Sequence, residues 1–428
     1  MKISWPPHPP QSKDSTRLDN QGVVFRLGYP ILFHWLAIAA VLGLVLLSAI
    51  HHIVPLLALA VFLFVLAVVS WFWSQQSLRG MSFQITLNQS SAFPGEKINL
   101  TLQVINGKWL PLPWLEVEEE LPYKLINGVK PLSPYAKERL LWTTSVSKGQ
   151  RISWKHRLEC KARGEYRLGP VRLRSGDVFG LFPKEMILPH FEQVLVYPQI
   201  VPVDKLNLPL RELVGERSAP RNIYEDVSRT MGPRDYQHDD PFKRIHWKAS
   251  ARHYQLQSRL YESTTSLNLF LILDVHSFCQ REQPDEQAFE LAVTTVASLA
   301  YKAHREEYSV GLMANSVPEI QIPLSAGYGH LLVLLETLAR IEAKSRLLLH
   351  EQLDKDKNSL PLGATLIVIA RVLSPSLAGM VQKLHREGYS LFLLSVGEQI
   401  PIQNASGIPV IYIQSLNDLS RSYEEAKL

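Results

Sequence analysis

Two unbroken apolar runs stand near the start of the chain. Residues 31–50 read ILFHWLAIAAVLGLVLLSAI and residues 56–74 read LLALAVFLFVLAVVSWFWS, with no formal charge in either. At about 1.5 Å of rise per residue, a helix of about 20 residues spans roughly 30 Å, the thickness of bilayer hydrocarbon. Neither run has the polar face of a helix packed on a soluble core. The residues between them, His51-His52-Ile53-Val54-Pro55, allow only a tight turn. The pattern therefore predicts a two-helix transmembrane hairpin over residues 31–74. A secretory leader does not fit, because the first run begins late, is too long and is followed at once by a second.

Flanking charge gives the hairpin a direction. Lys2, Lys13, Arg17 and Arg26 precede it, Arg79 and Lys97 follow it, and the turn has neither Lys nor Arg. The positive-inside rule then predicts a multi-pass protein of the inner membrane with both termini and the soluble regions in the cytoplasm. Phe33 and Trp35 open the first helix, and Trp71, Phe72 and Trp73 close the second, as an aromatic belt at one interface would. Residues 1–30, with WPPHPP near the start, read as a flexible cytoplasmic tail. The hairpin reads as an anchor and not a transport path, since His34 is its one titratable group apart from the His pair in the turn.

From Met81 the rhythm becomes short and alternating. Residues 83–87, 98–104, 114–117, 151–158, 166–173 and 194–197 read as strands separated by turn signals such as Pro94-Gly95 and Asn106-Gly107. This predicts an antiparallel β-sandwich over residues 80–200. From Leu267 the rhythm changes again. Apolar runs at 267–275, 308–314, 364–370, 389–396 and 409–413 alternate with helical stretches at 287–303, 328–343 and 374–387. Strands alternating with helices imply a mainly parallel, Rossmann-like sheet over residues 267–428, with sites at the carboxyl ends of its strands. Asp274, His276 and Ser277 stand at one such end. Residues 201–266 form the linker.

Composition adds little to this. A chain of 428 residues, 46% hydrophobic, fits two or three domains. A net charge of +5 is too mild to argue for nucleic acid. Two cysteines far apart, Cys160 and Cys279, fit a reducing compartment. There is no GxxxxGK[ST], no GxGxxG and no Cys/His metal spacing, so no cofactor is expected.

The linker carries MGPRDYQHDDPFKRIHWKASAR, residues 231–252. Asp240 suits an N-cap and Pro241 a first helical turn, which predicts a helix to about Arg252 with Phe242, Ile245 and Ala249 on one face. A strand at 256–261 follows. This segment resembles the hallmark of the domain of unknown function 58 family, R-D-Y…D…I-H-W-K-x-S-A-R, carried here by Arg234, Asp235, Tyr236, Asp240, Ile245, His246, Trp247, Lys248, Ser250 and Arg252. Lys243 stands where that family usually has Arg, with Arg244 next, and Asp239 where it has Gly. RGEYRLGP (163–170), SGDVFGLF (175–182) and the VxYP strand (194–198) also resemble the family. The resemblance implies a von Willebrand factor A-like C-terminal domain and a partnership with a MoxR-type AAA+ ATPase in complex assembly. Domains of that type often hold Mg²⁺ through D-x-S-x-S. Here the motif reads Asp274-Val275-His276-Ser277-Phe278, and Ala370-Arg371 stand where an Asp is expected, so a degenerate site without metal is the expectation.

Three function classes follow. A membrane-anchored, non-enzymatic scaffold or interaction protein fits best: it has binding-type modules and no catalytic spacing, and its partners would be the lipid bilayer and the ATPase. An enzyme would use Asp235, Asp240 and His246 as an acid–base set. Nucleic-acid binding would use Lys243, Arg244, Lys248 and Arg252, with Tyr236 and Trp247 stacking, but the patch is small and mixed with acids. The signature is expected to pack the linker helix against the α/β sheet, with Trp247 contributing to stability.

Overall fold

The computed structural model describes residues 24–27, 39–40, 43–47, 50, 54–127, 138–188, 192–203, 224–237, 240, 242–264, 268–279, 285–397 and 407–420. It divides into two compact units, Met1–Pro198 and Gln199–Leu428.

The first unit contains the second apolar run as one helix, α1 (Val54–Ser77). It is long and apolar enough to cross a membrane, and few of its residues are buried. Leu57, Leu59, Phe62, Phe64, Val65, Val69 and Phe72 are exposed around its circumference. Most of the first apolar run lies outside the described residues; within it, residues 39–40, 43–47 and 50 are helical. A hairpin is therefore not seen as such.

The rest of this unit is β. Its strands are β1 (Val24–Leu27), β2 (Met81–Leu87), β3 (Ser91–Ala92), β4 (Lys97–Asn106), β5 (Leu112–Leu121), β6 (Glu138–Val146), β7 (Arg151–Glu159), β8 (Gly164–Leu168), β9 (Val171–Ser175), β10 (Lys184–Leu188) and β11 (Glu192–Val196). They form three sheets ordered β1-β10-β9-β5-β6, β2-β4-β7 and β3-β11-β8. Alternation explains why: every second residue of β4 is buried, so Ile98, Leu100, Leu102 and Val104 face inward. They join Leu115 and Val117 of β5 and Val194 and Val196 of β11 in one apolar core. Each such side chain contributes about 1.5–3 kcal/mol when fully buried. The stretch at 166–173, expected as one strand, is two, broken at Gly169-Pro170. Proline has no N–H for the ladder. Strands β1, β3, β6 and β10 are not among the strands expected from the sequence, and β1, paired with β10, lies inside the stretch expected to be a flexible tail.

The second unit opens with a hairpin of β12 (Tyr224–Asp235) and β13 (Gln257–Thr264), antiparallel and bulged near Thr230. Between its arms lie a 3₁₀ turn, Phe242–Arg244, and helix α2 (Trp247–His253). A six-stranded sheet follows, built from β14 (Asn268–Leu273), β15 (Ser309–Ala314), β16 (Ile320–Ser325), β17 (Thr365–Ala370), β18 (Ser390–Val396) and β19 (Val410–Ile413). Its order is β16-β15-β14-β17-β18-β19, with β16 antiparallel and the rest parallel. Counted from its first strand this is 3-2-1-4-5-6, the doubly wound order whose switch point lies between the first and fourth strands. Helices α3 (Glu286–Arg305), α4 (Tyr328–Arg340), α5 (Leu349–Lys355) and α6 (Pro375–Arg386) connect them. Strands β14 and β17 are buried almost throughout, which is why they read as continuous apolar runs.

Candidate functional site

The signature is held by the β12–β13 hairpin, and its polar groups are largely turned on one another. The guanidinium of Arg234, on β12, lies 2.5 Å from Oδ1 of Asp240. The other oxygen of Asp240 accepts from the backbone N–H of Gln237 at 3.1 Å. The Tyr236 hydroxyl donates to the Asp240 carbonyl at 3.2 Å. The Gln237 N–H, ahead of the Arg234 charge, holds the Asp240 carboxyl below its ordinary pKa. Asp235 accepts from Gln257 Nε2 at 2.7 Å.

The helix boundary differs from the sequence reading. Asp240 does not cap the helix; it closes the turn at Gln237 instead. Residues 242–244 are 3₁₀, and α2 begins at Trp247 with His246 as its N-cap. His246 Nδ1 accepts from Ala249 N–H at 3.1 Å, so that nitrogen is unprotonated and takes up an otherwise orphan donor. Its carbonyl accepts from the Ser250 hydroxyl at 3.1 Å, and that hydroxyl accepts from Gln257 N–H at 2.9 Å. The His246 N–H in turn donates to the Gln257 carbonyl at 2.7 Å. Ser250 thus ties helix to strand. Ile245 and Ala249 are buried, whereas Phe242, expected on the same face, is 78% exposed.

Trp247 does not pack inward either: it is 68% exposed, and Tyr254, in the left-handed region at φ 53°, is 95% exposed. Lys243, Lys248 and Arg252 are exposed beside them. Only the backbone of Arg244 is described, at the end of the 3₁₀ turn. The result is an aromatic and cationic surface on an internally bonded frame. Asp235, Asp240 and His246 hydrogen-bond to three different partners and not to one another. Among the described residues no hydrogen bond joins any two of their side chains.

The sheet-end cluster is the second candidate. Asp274 follows β14 and is buried; Oδ1 accepts from Asn315 Nδ2 at 2.9 Å, and burial pushes its carboxyl up in pKa. Asn315, after β15, also accepts from Val275 N–H at 2.6 Å. It had no signal in the sequence reading beyond its place at a strand end. The Ser277 hydroxyl donates to the Asp274 carbonyl at 2.8 Å and accepts from Arg371 N–H at 3.0 Å. Arg371, after β17, is almost fully buried, with its guanidinium 2.9 Å from Asp285. These side chains do not suit a hard divalent cation: the Asp274 carboxylate is bonded to an amide, the Asp285 carboxylate is paired with Arg371, and the Ser277 hydroxyl is committed on both sides. Among the described residues no group of three or more His, Cys, Asp or Glu is placed to hold a metal.

This chain is similar to the "Uncharacterized protein YeaD" of Bacillus subtilis (strain 168), 26% identical over 265 residues, 61% of this chain. The match spans 63% of that protein's length. Among solved structures, proximal thread matrix protein 1 from the mussel byssus aligns at 13% identity and a TM-score of 0.29, over 36% of this chain and 44% of that one. Spo0M, a sporulation control protein from Bacillus subtilis, aligns at 12% and 0.18, over 32% and 54%. Both scores are too low to indicate a shared fold. Residues 232–394, which open inside β12 just before Arg234 and close in β18, match the family described as "Protein of unknown function DUF58".

Proposed function

We propose that this chain is a membrane-anchored, non-enzymatic interaction protein. In this reading residues 31–74 form a hairpin anchor and the soluble regions, a β-sandwich and a von Willebrand A-like domain, face the cytoplasm. The partner is a MoxR-type AAA+ ATPase, and the work is complex assembly. The observation that carries the reading is the division of labour in the signature. Arg234, Asp235, Tyr236, Asp240, His246 and Ser250 are bonded to one another, to the Gln257 side chain or to neighbouring backbone, while Phe242, Trp247 and Tyr254 stand in solvent. Exposed aromatic residues with an arginine beside them, as Arg252 is here, are the composition of interface hot spots, and burying them against a partner supplies the energy their exposure forgoes.

The test is direct binding between the full chain in detergent micelles and a purified MoxR-type ATPase from the same cell, with and without Phe242→Ala/Trp247→Ala. Saturable binding lost in the double variant supports the reading. Absence of binding to the ATPase removes that partner, and unchanged binding in the variant removes this surface.

A further inference from the structure

The SGDVFGLF turn, residues 175–182, is unused by the reading above, and its construction is unusual. Asp177 is fully buried: Oδ2 accepts from Phe179 N–H at 3.1 Å and Oδ1 from Phe182 N–H at 2.7 Å. Trp114 Nε1 donates to the Asp177 carbonyl at 2.9 Å. A side chain at Gly176 would come within 3.0 Å of the Phe182 carbonyl oxygen and the Trp114 ring, and Gly180 sits at φ +71°. The polar groups are thus consumed inside the turn. Its apolar side chains, Val178, Phe179 and Leu181, are 57%, 62% and 49% exposed.

The turn is also fastened to the end of α1. Ser74 Oγ donates to the Phe182 carbonyl at 2.5 Å, and Lys184 Nζ to Gln75 Oε1 at 2.6 Å. On the same helix end, Lys108 Nζ donates to the carbonyls of Gln76 and Ser77, and burial lowers its pKa to about 8. The next residue, Trp109, is 70% exposed. Asn106 Nδ2 bonds the carbonyls of Leu110, Val146 and Ser147, which brings the β6–β7 turn with exposed Lys148 to this end as well.

Depth follows from helix geometry. Ser74 lies 20 residues beyond Val54, roughly 30 Å along the axis, or one hydrocarbon thickness. It is three residues past Trp71, roughly 5 Å. A turn bonded to Ser74 is therefore level with the aromatic belt. We infer that the 175–182 turn and Trp109 enter the interfacial layer of the membrane that α1 crosses. Val178, Phe179, Leu181 and Trp109 bury in it, and Arg79 and Lys148 meet anionic headgroups. This rests on reading α1 as a membrane span. The occupant is lipid, since Ser74 and Gln75 hold the patch just past the exposed Trp71 and Phe72 of α1.

The test uses the full chain carrying Cys279→Ser, reconstituted in phosphatidylcholine–phosphatidylglycerol vesicles. The remaining Cys160 is fully buried, with its thiol pushed up to about 12, and does not label. An environment-sensitive fluorophore is placed at Phe179→Cys, at Phe64→Cys in the middle of α1, and at Lys161→Cys. The last lies beyond the far end of β7, roughly 25 Å from the turn at Arg151. Lipids spin-labelled near the headgroup are expected to quench position 179 several-fold more than position 161, with blue-shifted emission at 179. Lipids labelled deep in the chain are expected to quench position 64. Quenching at 64 without quenching at 179 overturns the inference and leaves the anchor standing. Equal quenching at 161 and 179 also overturns it. No quenching at 64 removes the membrane span, and this inference with it.

Discussion

Arg371 Nη2 lies 2.9 Å from Oδ2 of Asp285. The other oxygen of Asp285 accepts from Ala288 N–H at 3.1 Å and so caps α3. A single carboxylate joins a helix start to a buried cation at the end of β17. Removing the arginine leaves that carboxylate unpaired and a hole among the strand ends. Arg371→Met is expected to cost about 2–4 kcal/mol, a drop of roughly 4–16 °C in thermal midpoint for a unit of this size. Differential scanning fluorimetry of the full chain in micelles reads it. Arg371→Lys should recover only part, because an ammonium lacks the planar fork.

The same arrangement predicts indifference to metal. With Ser277 bonded on both sides and Arg371 nearby, saturating Mg²⁺ or Mn²⁺ is expected to leave the thermal midpoint unchanged and to give no calorimetric binding isotherm. A specific midpoint rise would contradict the account of the strand ends given above.

Glu119 on β5 points inward with Leu115, Val117 and Leu121, is 1% exposed, and its Oε2 has no hydrogen-bond partner among the described residues. Its register partners, Leu140 and Val171, offer no charge; Glu118 and Glu120 lie on the other face with Arg139 and Arg172. Burial raises its carboxyl to about 7 from an ordinary value of 4.5. The folded state therefore favours the protonated acid. Its stabilisation is complete below the unfolded pKa and is lost as pH rises through about 7. Glu119→Gln should stabilise the first unit by about 2–3 kcal/mol at pH about 8 and flatten its pH dependence between about 5 and 8. Midpoints measured across that range decide it.

His246 serves α2 as an N-cap. His246→Ala is expected to cost about 1 kcal/mol, and His246→Asn or His246→Ser to restore most of it. If alanine and asparagine are equally damaging, the ring does something besides capping.

Trp247→Ala should leave thermal stability within about 0.5 kcal/mol of the parent, since most of the ring is in solvent. A larger loss would mean that the ring is buried in the folded chain.

Much of the fold was legible because burial writes itself into period. β14 and β17 are buried on both faces and read as continuous runs; β4 is buried on one and reads as alternation. β16 and β10 carry weak strand signals because each is short and half-exposed, with Pro323 inside the first and Pro183 just before the second. The signature was located by its motif, but its geometry was misread. Asp240-Pro241 looks like a helix start, yet the Arg234 guanidinium draws the carboxylate back toward β12, and the cap passes to His246. No periodicity distinguishes those outcomes, because the deciding partner lies in another strand. Trp247 likewise sits at a helix start where neighbouring Ile245 and Ala249 are buried, and only the packing of α2 on β13 turns it outward.

Only Leu78, Arg79 and Gly80 separate α1 from β2, and Lys108, reaching from the end of β4, clamps the last carbonyls of the helix. There is no slack at this joint. A pull or twist applied to the sheets reaches α1 as torque on a rigid lever, with nothing between them to stretch first. Under the membrane reading proposed above, load on the sheets would tilt α1 through these bonds.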